Sequence, residues 1–213
     1  MKILERETEI VPDWAGGPKT RAGLKLSEEE FYAQEGDDSP YEYLAGELVV
    51  REPVSYLHEE LRIFVQTLFR TALDERGGAQ ASGAPYPMRL DPTWSPEPDL
   101  MVVGAERLHL MGMQRMQGPA DLVIEIASPS DPGRALRLKL PRYREARLPE
   151  FWVMNPYQEV VRVERLHGEG YQVQELHAGR LSPLVLPWFW IEVSWLWQRP
   201  LPSVLACLRQ ILA

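Results

Sequence analysis

Two carboxylates occupy positions where carboxylates are costly. Asp99 follows Pro98 and precedes the apolar run Leu100, Met101, Val102 and Val103, while Glu125 lies inside Asp121-Leu122-Val123-Ile124-Glu125-Ile126-Ala127. Each acid stands in, or at the mouth of, a segment with the pattern of a buried strand. An ionised carboxylate there is strongly unfavourable unless a cation answers it. Two answers are open on pattern alone. Acids on neighbouring strands can offer hard oxygen ligands to one Mg²⁺, which keeps several waters and takes one or two protein carboxylates. Alternatively, each acid forms a salt bridge with a nearby arginine. In the first case the held ion would act as a Lewis acid and lower the pKa of a bound water.

The segments around these acids supply their scaffold. Leu122 to Ala127 is nearly all apolar, as expected of a central strand buried on both faces. Pro85 to Leu90 and Asp99 to Val103 read as two further strands, and Glu150 to Asn155 as another buried one. Upstream, Ser27 with Glu30 three residues later forms a capping box that opens a short helix to about Gln34. Gly36 to Pro40 reads as a loop, and Tyr41 to Arg51 as a hairpin turning near Ala45-Gly46. Leu57, Leu61, Phe64, Val65, Leu68, Phe69 and Leu73 recur at helical steps, which predicts a long helix from Ser55 to about Arg76, stopped by Gly77-Gly78. Arg134 to about Ala146 reads as a helix that Pro141 should bend or delay. Val160 to Arg165 and Tyr171 to Leu176 form a hairpin around Gly168-Glu169-Gly170, and Leu201 to Leu212 a short amphipathic helix. This order predicts an α/β arrangement around a mixed sheet.

Charge and composition narrow the classes. The formal net charge of −8 over 213 residues argues against a broad, charge-driven nucleic-acid coat. The cations are concentrated, however: Arg134, Arg137, Lys139, Arg142, Arg144 and Arg147 crowd one stretch against the single acid Glu145. The lone cysteine, Cys207, excludes an intrachain disulfide and a cysteine-rich zinc site, and suits a reducing compartment. His109, His167 and His177 show no ligand spacing, and Ser128 and Asp131 read as the turn and cap before the basic helix. No secretory apolar region opens the chain, and the apolar run Leu184 to Trp197 is broken by Pro187 and Glu192, short of the roughly 20 residues of a membrane span. A cytoplasmic protein without membrane contact is the expectation.

Several blocks then occur in a telling order. Tyr41-Glu42-Tyr43-Leu44-Ala45-Gly46-Glu47-Leu48-Val49 matches a hairpin of the form YEL-x-GELV, and His58 starts the long helix that follows. Pro98-Asp99-Leu100-Met101-Val102-Val103 comes next, then Asp121 to Ser130, which matches DLVVEVLSPS. Lys139, Tyr143 and Pro149-Glu150-Phe151-Trp152-Val153 match K-x-x-x-Y followed by P-E-Y-W-V. Over about residues 25 to 197 the chain thereby resembles the Uma-two endonuclease branch of the PD-(D/E)XK nucleases. The resemblance implies a restriction-endonuclease-like mixed β-sheet flanked by helices, Mg²⁺ or Mn²⁺ as cofactor, DNA as partner, and a homodimer. It implies Asp99 and Glu125 as metal ligands and, with Lys139, as the catalytic set. Glu47 would be an added acid, His58 a positioning group, and Tyr143 a neighbour of the site. The plain motif places its lysine two residues after the glutamate, where this chain has Ala127. Lys139 then takes the part of a migrated lysine, holding the attacking water or stabilising the pentavalent phosphate. Arg134, Arg137, Arg142 and Arg144 would grip flanking phosphates. The chain departs from the pattern at Pro141 and at Arg147 or Leu148, which stand where the family carries a glycine.

The expected plan is an N-terminal arm over 1–24, a nuclease-like domain over 25–197, and a C-terminal helix over 198–213 packed on that domain. The aromatic-rich stretch Pro187 to Trp197 is read as core and dimer contact rather than as a base-stacking platform. Three functional classes remain: a metal-dependent DNA endonuclease, a DNA- or partner-binding protein on a nuclease-like scaffold with weak or lost activity, and an assembly module whose two acids are salt-bridged to arginines.

Overall fold

The computed structural model describes residues 23–33, 40–51, 53–128 and 134–213. Most of the expected arm, the expected loop at Gly36 to Ser39, the end of the first helix at Gln34 and the expected cap at Asp131 lie outside the described residues. Where the arm becomes visible it runs beside the hairpin: the Gly23 N–H donates to the Leu48 carbonyl at 2.8 Å, and the Leu48 N–H to the Leu24 carbonyl at 3.0 Å.

The chain opens with α1 (Glu28–Tyr32), whose capping box forms as predicted: the Glu30 N–H donates to Ser27 Oγ and the Ser27 N–H to the Glu30 carboxylate. The hairpin of β1 (Tyr41–Leu44) and β2 (Glu47–Val50) turns through Ala45 and Gly46, at φ 57° and 74°. Two consecutive left-handed residues are what a two-residue turn between twisted strands requires. Next comes α2 (Tyr56–Arg76), capped by Ser55, then β3 (Ala79–Ser82), β4 (Met88–Arg89), β5 (Trp94–Ser95) and β6 (Leu100–Gly104). After a 3₁₀ turn over 105–110 follow β7 (Met116–Gln117), β8 (Leu122–Ile126), α3 (Arg134–Glu145), β9 (Glu150–Asn155), β10 (Val160–His167) and β11 (Gly170–Leu176). The chain closes with β12 (Arg180–Leu181), β13 (Ile191–Glu192), a second 3₁₀ turn and α4 (Val204–Ile211).

The main sheet has six strands in the order β11-β10-β9-β8-β6-β3. Its β8–β9 pairing is parallel and its other pairings are antiparallel, so the sheet is mixed as predicted. Strand alternation sorts its side chains onto two faces. Leu100, Val102, Leu122, Ile124, Ile126, Trp152 and Met154 pack with α2, α4 and the C-terminal aromatic stretch. Met101, Val103, Val123 and Phe151 pack with Tyr143 of α3 and with Met88 and Met116. Glu125 belongs by alternation to this second face, under α3. Phe189 lies fully buried with its ring 4.2 Å from that of Phe69, and Cys207, Leu208 and Ile211 join the same core. Among the described residues no helix is long and apolar enough to cross a membrane.

Two strand expectations need correction. Of Pro85 to Leu90, Met88–Arg89 alone is strand, and it pairs in parallel with β7 outside the main sheet. The strand that borders β6 is β3, Ala-Gln-Ala-Ser, which carries no β-branched or aromatic signal. It is a strand because four of its residues pair with Met101 to Gly104, a tertiary constraint that overrides weak propensity. The structure also shows that Pro141 does not end α3, which continues to Glu145. Buried Leu136, Lys139 and Tyr143 hold that helix against the sheet on both sides of the proline.

Phe69→Ala should cost about 3–5 kcal/mol, because a fully buried ring leaves a cavity between α2, Trp152 and Phe189. Urea denaturation should show a lowered midpoint with an unchanged slope. Val173→Ala, on the exposed edge strand β11, should stay within about 0.5 kcal/mol of the native chain.

Candidate active site

The β6–β8 ladder pairs Leu100 with Ile124 and Met101 with Val123. One residue further along, the same register sets Asp99 opposite Glu125. The ladder does not simply continue there: the Ile126 N–H donates to Asp99 Oδ2 at 2.7 Å, so the carboxylate substitutes for a strand carbonyl. The backbone is tight at this point. A Cβ on Gly83 would come within 2.3 Å of the Asp99 carbonyl oxygen, so the turn after β3 can approach only as glycine. Both acids line a cleft of about 300 Å³ together with Glu42, Arg51, His58, Arg62, Glu97 and Lys139.

Three elements bring polar groups to the two acids. From α3, the Lys139 ammonium lies 3.4 Å from Glu125 Oε1 and 2.9 Å from Glu42 Oε2, and donates to the Glu97 carbonyl at 3.1 Å. One turn further on, the Tyr143 hydroxyl donates to Glu125 Oε1 at 2.5 Å. From α2, His58 Nε2 lies 3.3 Å from Asp99 Oδ2, while its Nδ1 is buried and has no hydrogen-bond partner among the described residues. A ring carrying its hydrogen on Nε2 fits that contact. From β1, Glu42 Oε2 also accepts the Glu97 N–H at 2.9 Å, and the Glu97 carboxylate pairs with Arg51 at 2.9 Å.

Burial dominates the electrostatics. It pushes Glu97 up to about 8, against the opposing pull of Arg51. It also pushes Glu125 up to about 7, more than the Lys139 ammonium can pull it down, with Asp99 and Glu42 adding to the rise. For Lys139, burial acts against the charge but Glu125, Glu42 and Asp99 overcome it, so the ammonium is held above its ordinary value and stays charged. Tyr143 is raised by burial and by Glu125, and remains a hydroxyl donor.

The salt-bridge alternative for buried acids is realised elsewhere in the sheet. Glu164 is clasped by Arg144 and Arg162, which overcome its burial and hold it below the usual carboxylate range. Glu150 takes Arg165 and the Trp152 indole N–H on one oxygen and the Leu184 N–H on the other. Among the described residues neither Asp99 nor Glu125 forms an ion pair with arginine; their close partners are a lysine, a tyrosine, a histidine and a backbone N–H.

The donor set suits a hard cation. Asp99 Oδ1 and Glu125 Oε2 receive no hydrogen bond from any described residue, and both acids line the cleft. Among the described residues, no three His, Cys, Asp or Glu side chains converge to enclose a metal by themselves. Two carboxylate oxygens in an open cleft match an ion that completes its shell with water and phosphate rather than a protein cage.

Asp99, Glu125, Lys139, Tyr143 and His58 are thus gathered at one place. Glu47 is not: it starts β2 near the surface, 3.8 Å from Lys25, and the hairpin acid that enters the cleft is Glu42. Glu42 and Glu97 were missed in the sequence. Glu42 carries the same signal as Asp99 and Glu125, an acid in a strand buried along its whole length, whereas Glu97 stands between two prolines with no pattern to mark it. The basic run is divided. Arg142 pairs with Asp91 and Glu145 and lies over the Trp94 ring, and Arg144 is bound to Glu164. Arg137 is exposed on α3, and the side chain of Arg134 lies outside the described residues. Arg51 and Arg62 are the arginines that line the cleft, and neither was singled out.

The model of the family described as "Uma2: Putative restriction endonuclease" matches residues 28–194. The chain is also similar to the crystal structure of a putative nuclease belonging to DUF820 from Anabaena variabilis, at 16% identity and a TM-score of 0.66, covering 81% of this chain and 97% of that one. At that identity the likeness shows the fold, which agrees with the restriction-endonuclease-like sheet expected above. No curated protein matches the chain.

In the metal-free protein, folded Glu125 and Glu97 hold protons at pH values where the unfolded chain, near 4.5, has released them. The folded state then binds more protons, so stability should fall as pH rises from about 4.5 through 7 and 8. Lys139 stays charged throughout and adds no slope. Glu125→Gln should flatten the decline measured by urea denaturation in chelator. An equal slope in both proteins would mean that Glu125 ionises normally in the fold.

Proposed function

The chain belongs to the Uma2 family, and from that premise we propose that its cleft hydrolyses DNA phosphodiester bonds with Mg²⁺ or Mn²⁺ held by Asp99 and Glu125. The observation that carries this reading is the pair itself: two acids set opposite each other by strand register on a shared cleft, each with one oxygen that accepts no hydrogen bond and neither ion-paired to arginine among the described residues. The bound cation would supply Lewis acidity to the scissile phosphate and a water of lowered pKa.

This chain's own residues supply the rest. Asp99 is fixed by the Ile126 N–H and by His58, so its free oxygen is pre-aimed. Tyr143 does the same for Glu125. Lys139 brings a permanent positive charge to the cleft wall, where it can stabilise negative charge growing on the phosphate. Arg51 and Arg62 line the cleft where flanking phosphates would enter, and Arg137, exposed on α3, would add to that grip. Family likeness alone supports the further reading of a homodimer, and the lone Cys207 that of a reducing compartment such as the cytoplasm.

Plasmid nicking in Mg²⁺ or Mn²⁺ tests the proposal. The native chain should nick, and Asp99→Asn and Lys139→Ala should lose at least about a hundredfold in rate while remaining folded. Asn is chosen at 99 because it keeps an acceptor for the Ile126 N–H. If the native chain leaves the plasmid intact, or Asp99→Asn nicks as fast, a DNA- or partner-binding scaffold replaces the nuclease.

A further inference from the structure

An ammonium has three hydrogens to give, and Lys139 faces three acceptors: Glu42 Oε2 at 2.9 Å, the Glu97 carbonyl at 3.1 Å and Glu125 Oε1 at 3.4 Å. The residue is 4% exposed. The Glu97 carbonyl and Glu42 hold two sides of the ammonium and the ion-paired Glu125 carboxylate lies against the third, so Lys139 as it stands reaches a phosphate only by moving away from a partner. Yet a migrated lysine is useful only if it reaches the substrate.

The three holds are unequal. Glu42 and Glu97 form one unit, because Glu42 Oε2 also accepts the Glu97 N–H at 2.9 Å. That unit is a cradle built from β1 and the segment after β5. Glu125 is the longest contact, and its Oε1 is already taken by Tyr143 at 2.5 Å. Glu125 is also the acid that a divalent ion would share with Asp99. A doubly charged ion there outbids a single ammonium for the carboxylate and repels it.

Resting on the metal-dependent reading above, we infer that Lys139 is the resident counter-ion of the acid cluster, and that it yields Glu125 to a divalent cation, freeing one ammonium hydrogen for the substrate. Glu42 and the Glu97 carbonyl keep the lysine in place during the exchange. Without the cation the cluster is self-neutralised and the lysine is sequestered; with it, the lysine is presented to the cleft.

Two DNA-free measurements test this. Native protein is acetylated with an amine-reactive ester with and without Mg²⁺, and the label at Lys139 is compared by mass spectrometry with that at Lys25, which is 83% exposed. Lys139 should be nearly inert alone and label at least fivefold faster, relative to Lys25, in Mg²⁺. An unchanged ratio overturns the exchange. Mn²⁺ titration calorimetry should also show about tenfold tighter binding to Lys139→Met than to the native chain, whereas equal or weaker binding overturns it. Should that variant fail to fold, the labelling of native protein still decides. If Mg²⁺ exposes Lys139 but DNA stays uncut, the exchange stands and the nuclease reading fails. If DNA is cut while Lys139 labelling and Mn²⁺ affinity do not move, the exchange fails and the nuclease reading stands. If neither ion binds, both fail.

Discussion

Glu125 sits on β8, a strand with hydrogen-bonded neighbours on both sides and core on both faces. At 5% exposure its charge meets little water, so the protein must supply most of the solvation. Much of the surrounding architecture can be understood as that response. α3 lies over the α3-facing side of the sheet and presents Lys139 and Tyr143, one turn apart, to the same carboxylate oxygen. The β1–β2 hairpin is set so that Glu42 holds the other side of that lysine, and Glu97 is drawn in through its backbone. A single buried charge thereby ties together the main sheet, α3 and the β1–β2 hairpin.

The same sheet solves the same problem differently a few ångströms of chain away. Glu150 and Glu164 are as buried as Glu125, but arginines with forked guanidinium groups satisfy them and close the question. Lysine gives a point charge and leaves the carboxylate geometrically open. The choice of cation thus separates acids that serve the fold from acids that keep a free oxygen on a cleft.

Elements with a local signature were legible in the sequence. The capping box at Ser27, the periodic stretch of α2, the apolar strands β8 and β9 and the hairpin of β10 and β11 follow from patterns that tertiary contacts reinforce. β3 was not legible, since Ala79 to Ser82 becomes strand only because β6 lies beside it. The site was half legible. Asp99 and Glu125 announce themselves as acids in apolar surroundings, but their facing each other depends on a register that no local pattern encodes. Glu42 rather than Glu47 enters the cleft because alternation in β1 turns it inward, a distinction that needs the hairpin's packing. Likewise, which arginines of the basic run are spent on internal acids depends on partners 20 and 51 positions away in sequence.

Asp99 has a duty apart from any chemistry: it accepts the Ile126 N–H where the ladder would otherwise leave a donor orphaned. Glu125 has one too, since without it Lys139 and Tyr143 would lose a buried acceptor. Selection for folding alone would therefore preserve both acids after cleavage had ceased to matter. Among descendants of such a chain, pseudoenzymes would keep the acidic signature intact, so the presence of both acids would not by itself tell an active member from an inactive one.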